Sequence, residues 1–328
     1  MVTGLTAGGQ GSGTITFTLS ANLGVARTTT ISVAGQSFTI TQAAAPGDHR
    51  TRFDFDGDGR ADLAVFRPSI GTWYVQKLGS TGFDNLPFGL ATDIPVAADY
   101  DGDGRTDIAV FRASNTFWYR VNSSNNQFVP VEFGAAGDIP VPADYDGDGR
   151  DNIAVFRPSI GTWYTSTDPA INYGAVVFGA AGDIPRPADY DGDGRADIAV
   201  YRPSNGVWHG IRSSNGQIFT IQFGAPGDIP VPADYDGDGR AELAVYRPSN
   251  GVWYRMNVAT GQQSATEWGS PGDLPVPADY NGDSRADLAV YRPSNGIWYI
   301  WSCTNNPLFS AQQFGVSTDR VIPFTNSP

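Results

Sequence analysis

One acidic phrase recurs six times in this chain at an interval of 45 residues, with its first residue at Asp54, Asp99, Asp144, Asp189, Asp234 and Asp279. The first copy reads DFDGDGRAD, the next four read DYDGDGR followed by TD, DN, AD and AE, and the last reads DYNGDSRAD. An interval that admits no insertion describes one structural unit of fixed size, and a unit this short buries its apolar face only against its neighbours. The fold must therefore stack six similar units.

Each unit holds four strand-like pieces. In the fifth, IPVPAD leads into the acidic loop, AELAVYRPS follows it, Ser-Asn-Gly turns the chain into VWYRMN, and a Gly-Gln turn leads to SATEWG. About eleven residues per strand plus turn fits a four-stranded antiparallel blade. The run Leu243 to Tyr246 is apolar on both faces, as a strand covered on both sides by radially packed sheets requires. Ser-Asn-Gly at 204–206, 249–251 and 294–296 supplies the positive-φ residues of tight hairpins. With 40 Gly, 23 Pro and no long amphipathic pattern, the chain reads as all-β, a β-propeller with one blade per repeat. The C-terminal FGVSTDRVIP opens a further unit without an acidic loop, and the first unit's opening, HRTRF, lacks the Ile-Pro-Val-Pro pattern. Six blades closed by pairing of these two ends are expected, with a seventh blade built from the N-terminal strands as the alternative.

Three sections follow: a small β segment at 1–44, a linker at 45–50 and the propeller at 51–328. In the first, GTITFTLS, TTTISVAG and QSFTITQA read as three antiparallel strands, the last two around an Ala34-Gly35-Gln36 turn. The phrase NLGVARTTTISVAGQSFTITQ resembles the C-terminal half of a BACON domain, an immunoglobulin-like module of secreted bacterial proteins. That resemblance implies a partial domain of this kind.

The loop has the chemistry of a Ca²⁺ site. A hard cation takes six to eight oxygens, and D-x-D-x-D-G offers carboxylates at positions 1, 3 and 5, a turn glycine at 6 and a backbone carbonyl at 7. In the first copy these donors are Asp54, Asp56, Asp58 and the carbonyl of Arg60, with Asp62 at position 9. In the second they are Asp99, Asp101, Asp103, Arg105 and Asp107; in the third, Asp144, Asp146, Asp148, Arg150 and Asn152. The fourth has Asp189, Asp191, Asp193, Arg195 and Asp197, and the fifth Asp234, Asp236, Asp238, Arg240 and Glu242. In the sixth, Asp279, Asn281, Asp283, Arg285 and Asp287 carry one carboxylate fewer, and Ser284 replaces the turn glycine, so this site is expected to be weakest. The loop resembles the start of an EF-hand but has Val65, Val110, Val155, Val200, Val245 or Val290 where that motif places a bidentate Glu, and no helix flanks it. Asp-Gly pairs alone make ordinary turns. Six copies of three or four crowded carboxylates repel one another without a cation, which favours binding, at about one ion per repeat.

These phrases, with the repeated GDIPVPADYDGDG, resemble the FG-GAP (VCBS) repeat family, whose blades form integrin α-chain heads and occur in many secreted bacterial proteins. The resemblance covers 51–328. It implies a β-propeller with one Ca²⁺ loop per blade, an extracellular setting and a role in adhesion or ligand binding.

Of 34 acidic residues, 22 lie in the loops, and six divalent cations would bring the net charge from -13 to about -1. The acidity therefore points to metal, and argues against nucleic acid and anionic membranes as partners. No apolar run is long enough to span a membrane, and the N-terminus lacks the basic and apolar regions of a signal peptide, so the chain reads as a truncated or internal fragment of an extracellular or cell-surface protein. Weak turn sites of this kind would fill at extracellular Ca²⁺ levels. Cys303 has no disulfide partner and reads as a packing residue. His49 and His209 are the only histidines and fall in no catalytic constellation, so the chain reads as non-enzymatic.

Three repeated or variable features could form working surfaces. Trp73, Trp118, Trp163, Trp208, Trp253 and Trp298 are either packing between blades or a sugar-stacking set, with packing favoured. Arg67, Arg112, Arg157, Arg202, Arg247 and Arg292 are expected to pair with Asp93, Asp138, Asp183, Asp228 and Asp273 rather than hold an anionic ligand. The connectors 123–127, 167–172 and 258–262 vary between units, as recognition loops do. The expected function is an extracellular Ca²⁺-binding scaffold for adhesion or protein interaction. A multivalent carbohydrate-binding lectin is the alternative, and a non-catalytic module of a larger secreted enzyme a third reading.

Overall fold

The structure, a computed structural model, describes residues 2–6, 16–19, 27–33, 36–42, 51–80, 82–168, 172–302 and 309–322. The linker 45–50, His49, Cys303 and part of the 167–172 connector lie outside them.

Six four-stranded antiparallel sheets form a six-bladed propeller. Blade 2 is typical: a two-residue inner strand Ile94–Pro95 pairs with Ile108–Arg112, which pairs with Phe117–Val121, which pairs with the outer strand Phe128–Glu132. Blade 1 takes its inner strand from the other end of the chain, Arg320–Ile322, with Val321 opposite Val65 on Leu63–Arg67. The expected closure by the two ends is therefore observed, and the seventh-blade alternative fails because the N-terminal strands pair among themselves. Val2–Thr6 pairs with Thr16–Leu19, and Arg27–Val33 with Gln36–Gln42, giving two separate two-stranded sheets. The strand at 16–19 thus joins Val2–Thr6, which the sequence reading missed because its short, Gly-containing stretch carries little alternation. No finding links these hairpins to a BACON domain.

The second strand of each blade explains the architecture. Ala109, Val110 and Phe111 are all at most 1% exposed, so both faces of the strand are covered. One face of blade 2 (Ala109, Phe111, Trp118) packs on Ile153 and Val155 of blade 3, while Val110 from its other face packs on Ala64, Phe66 and Trp73 of blade 1. Equivalent clusters fill the other junctions. The six tryptophans are buried in these junctions, so they are packing residues and no sugar platform. Five indole N–H groups also donate to a carbonyl at the end of the outer strand, as Trp208 does to Phe223 at 2.8 Å. Truncating one such Trp would remove about 3–5 kcal/mol of packing. Among the described residues no helix is long and apolar enough to cross a membrane.

Candidate metal centres

Five of the six acidic loops follow the inner strand of their blade, the first being the exception because its inner strand is Arg320–Ile322, and in each loop the first Asp organises the turn. Asp54 accepts the N–H groups of Gly57 at 2.6 Å and Gly59 at 2.8 Å. Asp99, Asp144, Asp189 and Asp234 hold the matching glycines in the same way. The third-position Asp accepts the N–H of position 5 in the first, second, third and fifth loops, and the fifth-position Asp accepts the N–H of Arg60, Arg105, Arg150, Arg195, Arg240 or Arg285. The carboxylates are thereby turned toward one another by the backbone itself.

The ninth position is the buried floor. Asp62, Asp107, Asp197 and Asp287 are at most 1% exposed, and Asn152 and Glu242 are also buried. Asp107 accepts the N–H of Tyr100 at 2.9 Å with one oxygen and that of Ser123 at 2.6 Å with the other, tying the loop to the connector of its own blade. Burial pushes the carboxyls of Asp62 and Asp107 up to about 6, those of Asp197 and Asp287 to about 7, and that of Glu242 to about 8. Desolvation likewise raises Asp54, Asp189, Asp234 and Asp279. Such groups are poised to give up a proton to a cation.

Five loops gather at least three acidic groups with one oxygen each within 4.8 Å of the others. These are Asp54, Asp56 and Asp58; Asp99, Asp101 and Asp107; Asp144, Asp146 and Asp148; Asp189, Asp191 and Asp197; and Asp234, Asp236, Asp238 and Glu242. The donors are all oxygen, with neither imidazole nor thiolate, which suits a hard divalent cation. In the fourth loop Asp191 Oδ1 is buried without a hydrogen-bond partner, an arrangement a bound cation would satisfy, while Asp193 Oδ2 has the Nε of Arg195 at 3.4 Å. Asp103 and Asp193 stand outside the groups of the second and fourth loops, and Arg105 and Arg195 pair with them at 2.6 and 3.4 Å, whereas Asp58 pairs with Arg60 and still belongs to the first loop's group. The sixth loop forms no such group among the described residues. There Asn281 donates to Asp287 at 3.1 Å and to Ser302, and Ser284 takes the turn glycine's place at φ +67°.

Two further sets of residues complete the centres and escaped sequence reading. Ser123 and Ser124 donate to Asp103 and Asp101 at 2.8 and 2.6 Å, and Ser213 and Ser214 do the same to Asp193 and Asp191. Asn257 serves Asp236 and Asp238 in the fifth blade. The signal was present: Ser-Ser-Asn stands at 123–125 and again at 213–215, two repeats apart. The connector at 123–127 thus begins as a partner of its acidic loop, and in blade 5 the partner is Asn257, the residue just before the connector at 258–262. The loops are also chained to one another, since each eighth-position N–H donates to the first-position carbonyl of the preceding loop, as Ala241 does to Asp189 at 2.6 Å. The seventh-position arginine lies across the fourth-position glycine of that same preceding loop, where a Cβ would stand 2.8 to 3.1 Å from it.

The arginines of the FRPS, FRAS and YRPS segments pair as expected. Arg112, Arg157, Arg202, Arg247 and Arg292 each bind Asp93, Asp138, Asp183, Asp228 or Asp273 through two N–H groups at 2.7 to 2.9 Å. Arg67 reaches Asp319 in the same manner across the closure.

No curated protein matches the chain. Among solved structures, its fold is similar to a streptogramin B lyase (10% identity, TM-score 0.53, 89% of each chain). It is also similar to virginiamycin B lyase from Staphylococcus aureus (10% identity, TM-score 0.53, 89% of this chain and 90% of that). A third is a lectin from Agrocybe aegerita described as recognising non-reducing terminal N-acetylglucosamine (18% identity, TM-score 0.52, 79% of this chain and 77% of that). At these identities the likeness is one of fold. The model of the FG-GAP-like repeat matches residues 54–110, 99–155, 189–245 and 234–290, together more than half of the sequence, and the chain belongs to the FG-GAP-like repeat family.

Proposed function

We propose that this propeller is an extracellular Ca²⁺-binding scaffold for adhesion or protein interaction, with about one ion per acidic loop and the sixth site weakest. The observation that carries the reading is the gathering of all-oxygen acidic groups in five loops that are hydrogen-bonded into a ring. Bound cations would neutralise that ring and stiffen the surface it supports. Turn sites without a bidentate twelfth ligand match millimolar extracellular Ca²⁺ better than cytosolic levels. The ring also suits a non-catalytic module of a larger secreted enzyme, since it needs no chemistry of its own.

The lectin reading rests on a different observation. Tyr119 stacks between Phe117 and the half-exposed Phe128 at the rim of blade 2, with ring centres 5.6 and 6.1 Å apart, and the similar fold from Agrocybe aegerita binds a sugar. Beads coated with the full chain separate the two. Adhesion to cells in millimolar Ca²⁺ that is lost in EGTA and lost after protease treatment of the cells supports the scaffold. Adhesion that survives protease, together with glycan-array binding, supports the lectin, and no adhesion in either state contradicts both.

A further inference from the structure

The inner strands enclose a cavity of about 820 Å³ along the propeller axis, walled largely by the Ile-Pro and Val-Pro residues of successive blades. At the position just after the Ile-Pro or Leu-Pro pair of these strands four blades carry a buried valine, namely Val96, Val141, Val231 and Val276, and the closing segment carries Ile322 there. Blade 4 carries Arg186. Its Nε donates to the carbonyl of Pro230 in blade 5 at 3.1 Å and its Nη1 to that of Pro185 at 2.8 Å, while Nη2 has no acceptor among the described residues. No carboxylate there pairs with it. The acids along the same wall are already engaged: Asp138 and Asp183 by Arg157 and Arg202, and Asp189, Asp234 and Asp279 by the N–H groups of their own loops. Arg186 is half-buried on the cavity wall, and a guanidinium partly withdrawn from water without a counter-ion is only partly compensated by neutral carbonyls.

We propose that the axial cavity binds a small amphipathic anion, an apolar body ending in a carboxylate or phosphate, with Arg186 as the residue that receives the anionic group. The Ile, Val and Pro walls accept the apolar body and the planar guanidinium receives two oxygens of the head. Desolvation lowers the Arg186 pKa to about 10, which leaves it cationic at neutral pH and favours an incoming anion. The Pro230 contact places the ligand head at the junction of blades 4 and 5.

The test uses the full chain, with 8-anilinonaphthalene-1-sulfonate fluorescence as the reporter and decanoate, decyl phosphate and decanol as competitors. Displacement by decanoate or decyl phosphate at concentrations at least tenfold below those needed for decanol is expected, and the tighter of the two anions identifies the head group. Arg186→Val, which installs the residue of the other blades, should weaken anion binding at least tenfold while the thermal midpoint holds or rises. Arg186→Lys should retain part of the affinity, and this guards against a folding defect as the cause of the loss. Equal competition by decanol, no displacement by either anion, or unchanged affinity in Arg186→Val would each overturn the proposal.

Discussion

The backbone N–H of Ala61 donates to the carbonyl of Asp279 at 2.6 Å, so the first acidic loop is bonded directly to the sixth. The same bond joins every other consecutive pair, and at this junction it spans the closure of the propeller. Arg67 and Asp319 form a second clasp there, with the Asp319 side chain fully buried. Removing the arginine would leave that carboxylate without its cation in a dry junction. Arg67→Met is expected to cost about 3 kcal/mol in urea unfolding, within the range for breaking a buried pair. A loss under 1 kcal/mol would show that the clasp is dispensable.

Gly192 holds φ at +79°, and a Cβ on it would stand 2.8 Å from Nε of Arg240. Arg240 can shift, whereas the backbone strain cannot be relieved so easily. Gly192→Ala should cost about 1–2 kcal/mol. Adding Arg240→Ala should return the steric part and leave the strain, and a double-mutant cycle measures the difference.

Ser284 adopts φ +67° at the place where the other five loops have glycine. Ser284→Gly should stabilise the protein by about 1 kcal/mol. Combined with Asn281→Asp it restores the acidic set of the other loops, and the number of ions bound at saturation, measured by elemental analysis, should not fall while the weakest binding step tightens.

Burial pushes the hydroxyls of Tyr201, Tyr246 and Tyr291 up to about 12, and each donates to a carbonyl, of Ala225, Ser270 and Val316 respectively. Between pH 10 and 12 the folded chain keeps protons that the unfolded chain releases, so stability falls as pH rises through this window. Blades 1 to 3 carry Phe66, Phe111 and Phe156 at the same position. Replacing all three tyrosines by Phe should flatten the decline in urea midpoints between pH 10 and 12.

The 45-residue period carried the blade count, the four-strand layout and the pairing of the chain ends, because each is set by local pattern and repeat length. The Arg–Asp pairs were legible for the same reason, lying 19 residues apart in every complete unit. Other features depend on contacts between units. The bond from Ala61 to Asp279 uses backbone atoms that no side-chain pattern marks, and Val2–Thr6 pairs with Thr16–Leu19 on a weak alternation. In the loops, acidic identity alone did not reveal that Arg105 would pair with Asp103 of its own loop, or that Ser123 and Ser124 would complete the shell.

Calcium titration of chelator-stripped protein, followed by calorimetry and thermal melting, tests the central claim most directly. The account predicts five comparable sites and one weaker, and a melting temperature that rises steadily with Ca²⁺; at a hundredfold excess over Kd each site adds about 2.7 kcal/mol. No binding heat and an unchanged melting temperature at millimolar Ca²⁺ would contradict it.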